Sequence, residues 1–359
     1  MARLNDVVSR IFDDDRRLLR FLPLFLISLV YRASVSLRNY LYDTGVLRAQ
    51  KMTCAVISVG NIMVGGTGKT PMVIMLAEML KGRGWRPAIL SRGYGGKREG
   101  QGRADVVSDG HDILMDSGEA GDEPVLMAQN VPDVPVIVAR DRSCGGRAAV
   151  ERFDADVLIL DDGFQHRQLA RDIDIVLLDG RRPFGNGFML PRGRMREPLR
   201  ALRRADVVIL TSTGEADAPP SEGIPQIPIF SGRRRPVDLV KGQAKDACPL
   251  DCLAGKRVCA FSGIARPDSF RRILEPLCGE VASFVPFPDH HVYTAGDVEY
   301  IRDAFRDSGA QVMLTTEKDG IKLTRFPDFF QDLYRLRIAM KIVPSKPEFE
   351  EYIITRLKK

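Results

Sequence analysis

The sequence predicts an α/β protein with a parallel sheet and a second, smaller α/β unit, and three observations point there. Short β-branched runs alternate with helical stretches, which is how parallel sheets are wound. A strand, a glycine-rich loop and an apolar helix follow one another between Ala55 and Leu80. A proline- and acid-rich stretch, Glu215–Pro228, then breaks the alternation before it resumes. The 359 residues suit two units of roughly 100–200 residues. They are placed at 1–228 and 229–359, the second contributing to a shared cleft.

The N-terminal segment poses a membrane question. Leu18–Val30 reads LLRFLPLFLISLV, an apolar run of 13 residues broken by Arg20, Pro23 and Ser28. Spanning a bilayer takes about 20 apolar residues. The run is preceded by Asp13, Asp14 and Asp15 and followed by Tyr31-Arg32, which does not fit a cleaved signal peptide. Arg16, Arg17, Arg20, Arg32 and Arg38 flank an apolar surface that continues through Leu37, Tyr40 and Leu41 at helical spacing. That pattern predicts an interfacial helix lying on anionic lipid. A core helix of a soluble domain is the alternative that the segment alone leaves open.

The strand candidates of the first unit are Ala55–Val59, Ala88–Leu90, Val136–Val138, Val157–Leu160, Ile175–Leu178 and Val207–Leu210. Those of the second are Val258–Phe261, Val312–Leu314 and Leu336–Met340, with a charged helix after them. Hydrophobic residues make up 44% and charged residues 28%, which excludes a disordered chain. Six scattered cysteines, with no C-x-x-C pair and no neighbouring histidine, exclude a zinc module and read as reduced thiols in a cytosolic protein. The net charge of +6 asks for an anionic partner, which could be nucleic acid, phospholipid or a phosphorylated substrate.

The glycine loop carries the chemistry. Ala55–Val59 runs into Gly60-Asn-Ile-Met-Val-Gly65-Gly66-Thr67-Gly68-Lys69-Thr70 and then into the helix Met72–Leu80. This resembles the phosphate-binding loop of the P-loop NTPases. Backbone N–H groups of Gly65, Gly66, Thr67 and Gly68 would face phosphate oxygens, Lys69 would reach the β and γ phosphates of ATP, and Thr70 would ligate Mg²⁺. The first glycine of G-x-x-x-x-G-K-[ST] falls at Met63, so the loop is a variant. Pro71 is compatible with the first turn of a helix.

A phosphate loop needs a carboxylate at a neighbouring strand end, and Val157–Leu160 followed by Asp161-Asp162 supplies it. Two further clusters, Gly121-Asp122-Glu123-Pro124 and Asp162-Gly-Phe-Gln165-His166, are read as short loops at the sheet's active edge, the first as a turn between the second and third strands; solvated turns are the alternative. Arg181 to Arg204 contains eight arginines against one acid, Glu197, with enough glycine and proline to predict a loop. Aromatic residues between these arginines are too few for base stacking, so no nucleic-acid partner is expected.

Taken together, these residues resemble the tetraacyldisaccharide 4′-kinases. The resemblance rests on GN-x3-GGTGKTP at Gly60–Pro71, SRGYGG at Ser91–Gly96, GDEP at Gly121–Pro124, DDGFQH at Asp161–His166, LPRGRMREP at Leu190–Pro198, FPDHH at Phe287–His291 and TTEKD at Thr315–Asp319, in that order along nearly the whole chain. It implies ATP-dependent phosphorylation of the 4′-hydroxyl of an acylated glucosamine disaccharide 1-phosphate, at the cytoplasmic face of the inner membrane. It implies Asp122 as the base, assisted by His290, with Glu123 and Asp161 on the metal side. Asp162, Gln165, Arg196 and Glu197 match family active-site positions without an assigned role, and Arg92 and Tyr94 are expected to meet the disaccharide. No obligate protein partner is implied. Two rivals remain on the residues alone: a ligase that activates a carboxylate on the same scaffold, and a nucleotide-driven switch. No guanine-specific N-K-x-D motif supports the switch.

Overall fold

The computed structural model of the chain describes residues 21–97, 104–212, 223–244, 247–343 and 346–358. Arg16, Arg17, Arg20 and the start of the expected N-terminal helix lie outside the described residues, as do 213–222 of the proline-rich stretch.

The first unit is built on apolar runs buried on both faces, as parallel strands under helices must be. These are β1 (Ala55–Gly60) and β2 (Pro87–Ser91), with the short edge strand β3 (Asp105–Ser108), then β4 (Val136–Val138), β5 (Val157–Asp161), β6 (Ile173–Asp179) and β7 (Val207–Ser212). There follow β8 (Ile229–Lys241), β9 (Ala247–Cys248), β10 (Arg257–Ser262), β11 (Glu280–Pro286), β12 (Val312–Thr316) and β13 (Leu333–Val343). All thirteen form one sheet in the order β11-β10-β12-β13-β8-β7-β6-β1-β5-β2-β4-β3, with β9 paired to β8. Pairing is parallel except at β3–β4, β8–β9 and the long β8–β13 ladder. Strand β8 begins at Ile229, runs parallel to β7 and antiparallel to β13 and so joins two parallel sets edge to edge. Strands β3, β8, β9 and β11 were not among the sequence candidates.

The helices are α1 (Leu22–Asp43), α2 (Lys69–Gly82), α3 (Ser117–Ala120), α4 (Asp122–Asn130), α5 (Arg142–Phe153), α6 (Pro267–Leu274), α7 (Ala295–Asp307), α8 (Glu317–Leu323), α9 (Pro327–Phe330) and α10 (Lys346–Leu357). Helix α2 buries Met72, Val73, Leu76 and Leu80 in the first core, at about 1.5–3 kcal/mol for each large side chain. Phe349 and Ile353 of α10 and Met340 and Ile342 of β13 close that same core, so the chain returns to its first unit after building the second. The second unit packs around Phe261, Phe329, Phe330 and Leu333 on one side and Phe270, Leu274 and Leu314 on the other.

The GDEP segment is a correction to the expected turn. Gly121, at φ 92°, leads directly into α4, whose first residues are Asp122 and Glu123. Two acids in a first turn are favoured by the helix dipole, and Pro124 is tolerated because the N–H groups there have no partner within the helix. Helix α1 shows two faces. Ser28, Val35 and Asn39 are buried against the body, while Leu22, Leu26, Ile27, Leu29, Val30, Leu37 and Tyr40 are exposed. No described helix is long and apolar enough to cross a membrane.

Candidate active site

Strand β1 ends on Gly60, where Phe164 leaves no room for a side chain: a Cβ there would meet Phe164 Cβ at 2.6 Å. The loop that follows is held on its first half by the arginine-rich segment. Val64 N–H donates to Arg194 O at 2.8 Å, Arg196 N–H donates to Ile62 O at 2.7 Å, and Met63, where the usual loop has glycine, bridges to Met195. Its second half is open: around Gly65, at φ 126°, and Gly66 an added Cβ would meet nothing within 4 Å. Gly68, left-handed at φ 87°, caps α2, and Lys69 and Thr70 are the first two helical residues. Asn61 Nδ2 donates to Thr67 Oγ1 at 3.0 Å, and Gln165 Nε2 donates to Asn61 O at 2.7 Å. The loop is therefore rigid at its base and empty at its rim.

Facing it are the ends of β5 and β2. Arg196 grips Asp162 with two hydrogen bonds, 2.9 Å from Nη1 and 2.7 Å from Nη2, and its Nη2 also donates to Asn61 Oδ1. Lys69 Nζ lies 3.7 Å from the same Asp162 carboxylate. Burial works against that charge, but the Arg196 bonds and the Lys69 charge outweigh it and hold Asp162 far below the usual carboxylate range. Asp161 behaves oppositely. Burial, with Glu123 and Asp162 nearby, pushes it up to about 7. Its Oδ2 accepts from Ser91 Oγ at 3.1 Å, while Oδ1 is buried without a hydrogen-bond partner among the described residues.

The second cluster joins the two units. Asp122 Oδ2 lies 3.8 Å from His290 Nδ1 and 3.2 Å from Lys322 Nζ. Lys318 Nζ lies 3.1 Å from Glu123 Oε1 and 3.3 Å from His290 Nε2. Burial favours a neutral Asp122, but the nearby His290 ring and the Lys322 charge prevail and lower its pKa. His290 sits at φ 57°, a conformation uncommon for a side-chain-bearing residue and one found at functional turns. Tyr94 stands edge-on to His290 at 6.1 Å between ring centres, and Arg92 is exposed nearby on the same loop. The SRGYGG loop reaches this place because its glycines let backbone touch backbone: a Cβ on Gly96 would lie 2.4 Å from Glu119 O, and one on Gly121 2.6 Å from Tyr94 O.

The structure thus brings Lys69, Asp162, Gln165 and Arg196 together, and brings Asp122, Glu123, His290 and Tyr94 together, with Asp161 between the groups. Glu197 stands apart. Its side chain is fully buried and points to α1, where Arg38 Nη2 donates to Oε1 at 2.5 Å and Asn39 Nδ2 to Oε2 at 2.7 Å. Sequence reasoning gave no role to Lys318, Lys322, Asn61 or Ser91. Lys318 lay inside the quoted TTEKD, and Lys322, four residues on, shares its helix face.

The family model described as tetraacyldisaccharide-1-P 4′-kinase matches residues 20–358. A tetraacyldisaccharide 4′-kinase of Syntrophus aciditrophicus is 49% identical over 345 residues, covering 92% of this chain and 91% of its own. One of Desulfatibacillum aliphaticivorans is 40% identical over 369 residues, covering 99% and 98%. Among solved structures, LpxK from Aquifex aeolicus in complex with ATP superposes with a TM-score of 0.76 at 36% identity, covering 94% of this chain and 98% of that one.

Proposed function

Because the chain belongs to the tetraacyldisaccharide-1-phosphate 4′-kinase family, we infer that its two clusters divide one phosphoryl transfer between them. The protein is a kinase that phosphorylates the 4′ position of the lipid A precursor at the expense of ATP. The finer reading assigns the roles. The glycine loop of Gly65–Thr70 is a phosphate-binding loop of the P-loop type: its open rim takes the phosphates of ATP, and Lys69 and Arg196 balance their charge. Asp122 accepts the proton of the sugar hydroxyl as its oxygen attacks the γ-phosphorus and the bond to the bridging oxygen breaks; His290 orients the carboxylate. Arg92 and Tyr94 flank the acceptor sugar.

Magnesium fits the residues present. Asp161 offers a buried oxygen with no partner, Thr70 is buried at the start of α2, and Mg²⁺ characteristically takes only one or two carboxylates beside substrate phosphates. When bound, it would neutralise charge on the transferring group. Glu123 is the second carboxylate on that side. The exposed apolar face of α1 supports an interfacial, non-spanning attachment to anionic lipid, in keeping with a lipid-linked disaccharide 1-phosphate as substrate. A lipid-linked acceptor together with ATP as the phosphoryl donor supports action at the cytoplasmic face of the inner membrane.

The observation that carries the assignment of roles is the meeting of Asp122, from one unit, with His290, from the other, at 3.8 Å beside a loop whose rim is empty. The test is incubation with labelled ATP and an acylated disaccharide 1-phosphate. Label is expected in a chloroform-soluble product with phosphate at the 4′ position; label released only as inorganic phosphate would overturn the reading of the acceptor side.

A further inference from the structure

Helix α1 is joined to the body by more than apolar packing, and its polar attachments converge on the segment that builds the nucleotide side of the cleft. Glu197, whose side chain has no solvent exposure, is held from α1 by Arg38 at 2.5 Å and Asn39 at 2.7 Å, and from its own side by Arg204 at 3.6 Å. A fully buried carboxylate with three such partners is expensive to disturb, because removing one partner leaves charge uncompensated. Its neighbour in sequence, Arg196, points the other way and grips Asp162 and Asn61. The two side chains therefore share one stretch of backbone, pinned by N–H bonds from both residues to Ile62 O. Tyr31 Oη of α1 donates to Arg196 O at 3.3 Å, on the same stretch. On the far side of Asp162, Arg167 donates to Asn39 O at 2.9 Å and lies 2.8 Å from Asp43. The stretch of α1 from Tyr31 to Asp43, more than three turns, thus contacts both the segment that carries Arg196 and the one that follows Asp162.

We propose that Arg38 and Asn39 of α1 are positioning residues for phosphoryl transfer, acting through Glu197 to set the Arg196 guanidinium against Asp162. The helix that meets the membrane is then also part of the support of the nucleotide site. This rests on the reading of Arg196 and Asp162 as nucleotide-side residues. It makes a different demand from anchoring. An anchor governs how well the enzyme finds lipid, which enters KM at micelle or vesicle surfaces. A positioning contact governs a geometry needed during transfer, which enters kcat.

The experiment uses the full-length protein in detergent micelles with saturating ATP and acylated disaccharide 1-phosphate. Asn39→Ala should lower kcat by about tenfold or more while the apparent KM for lipid stays within about twofold. The swap Asn39→Asp with Glu197→Gln rebuilds an amide–carboxylate pair with donor and acceptor exchanged, and should recover kcat that Asn39→Asp alone loses. Melting temperatures identify variants that do not fold. If Asn39→Ala is unfolded, the swap pair decides. A folded Asn39→Ala enzyme with unchanged kcat, or a swap that restores the melting temperature without kcat, would overturn the proposal. Arg196→Ala separates the two levels. If it is impaired while Asn39→Ala is not, only the role of α1 fails; if Arg196→Ala keeps full kcat, the nucleotide-side reading fails and this proposal with it.

Discussion

Replacing His290 by alanine should slow turnover only through Asp122, and the structure bounds by how much. The ring nitrogen and the carboxylate oxygen are 3.8 Å apart. With the imidazole protonated, two unit charges at that separation attract by about 4 kcal/mol at an effective dielectric of 20 and about 1 kcal/mol in water. The His290 side chain is 43% exposed, which moves the figure toward the lower end. A loss of about 1–2 kcal/mol corresponds to roughly five- to thirtyfold in rate. Lys322, 3.2 Å from the same oxygen and 9% exposed in its side chain, remains in the variant and keeps the carboxylate ionised. Asp122→Asn removes the base itself and should cost about 10²–10⁴-fold. The assay is initial-rate transfer of labelled phosphate at saturating lipid across an ATP series, with KM for ATP expected to stay near its starting value. Once Asp122 is asparagine, His290→Ala should cost little more, because its route to the reaction has gone. Losses that multiply in the double variant would show that the two residues do separate jobs, and an unimpaired His290→Ala enzyme would take the second unit out of the chemistry.

Lys69→Ala should leave the melting temperature unchanged and lower kcat by about 10²–10³-fold, since its charge faces the transferring group; near-normal turnover would remove the loop from catalysis. Glu317, at the junction where Asn130 Nδ2 donates to its Oε1 at 3.2 Å, is pushed by burial up to about 7. A carboxyl raised in the fold binds its proton more tightly there than in the unfolded chain, so its contribution is full below about pH 4.5 and is lost as pH rises through about 7, at most about 3 kcal/mol. Glu317→Gln should therefore raise the melting temperature at pH 8 but not below pH 4.5, and equal melting curves at pH 8 would refute the argument. Leu26→Asp with Val30→Asp, at positions 53% and 67% exposed, should move protein from the membrane to the soluble fraction without lowering its melting temperature. Unchanged sedimentation with membranes would mean that this face is not the attachment surface.

How much could be read beforehand follows from where each signal lies. The strands β1, β2, β4, β5, β6 and β7 were legible because strands covered on both faces are apolar throughout, and the glycine loop because its spacing is local. Strand β8 was not. Its sequence IFSGRRRPVDLVK alternates burial only weakly and carries three consecutive arginines and Pro236, so its strand identity comes from pairing with β7 and β13 rather than from its own pattern. Asp122 and Glu123 looked like turn residues because acids and glycine favour turns; the same acids suit a helix start, and only the fold decides. Lys322 was invisible for a different reason: it lies 200 positions beyond Asp122, and a lysine on a short helix carries no mark of its target.

The return of α10 to the first core fixes the order in which a growing chain can become active. Met72, Leu76 and Leu80 of the helix behind the glycine loop share their cluster with Phe349 and Ile353. Tyr352 Oη donates to Asp206 O at 3.0 Å, and Glu350 meets Arg83 at 2.7 Å. On the ribosome the second unit is therefore translated in full while the first still lacks its cover, although domains elsewhere commonly complete themselves from the N-terminus onward. The nascent enzyme carries an apolar gap behind its glycine loop for most of its synthesis. The exposed apolar face of α1, in contrast, is translated before any of that core.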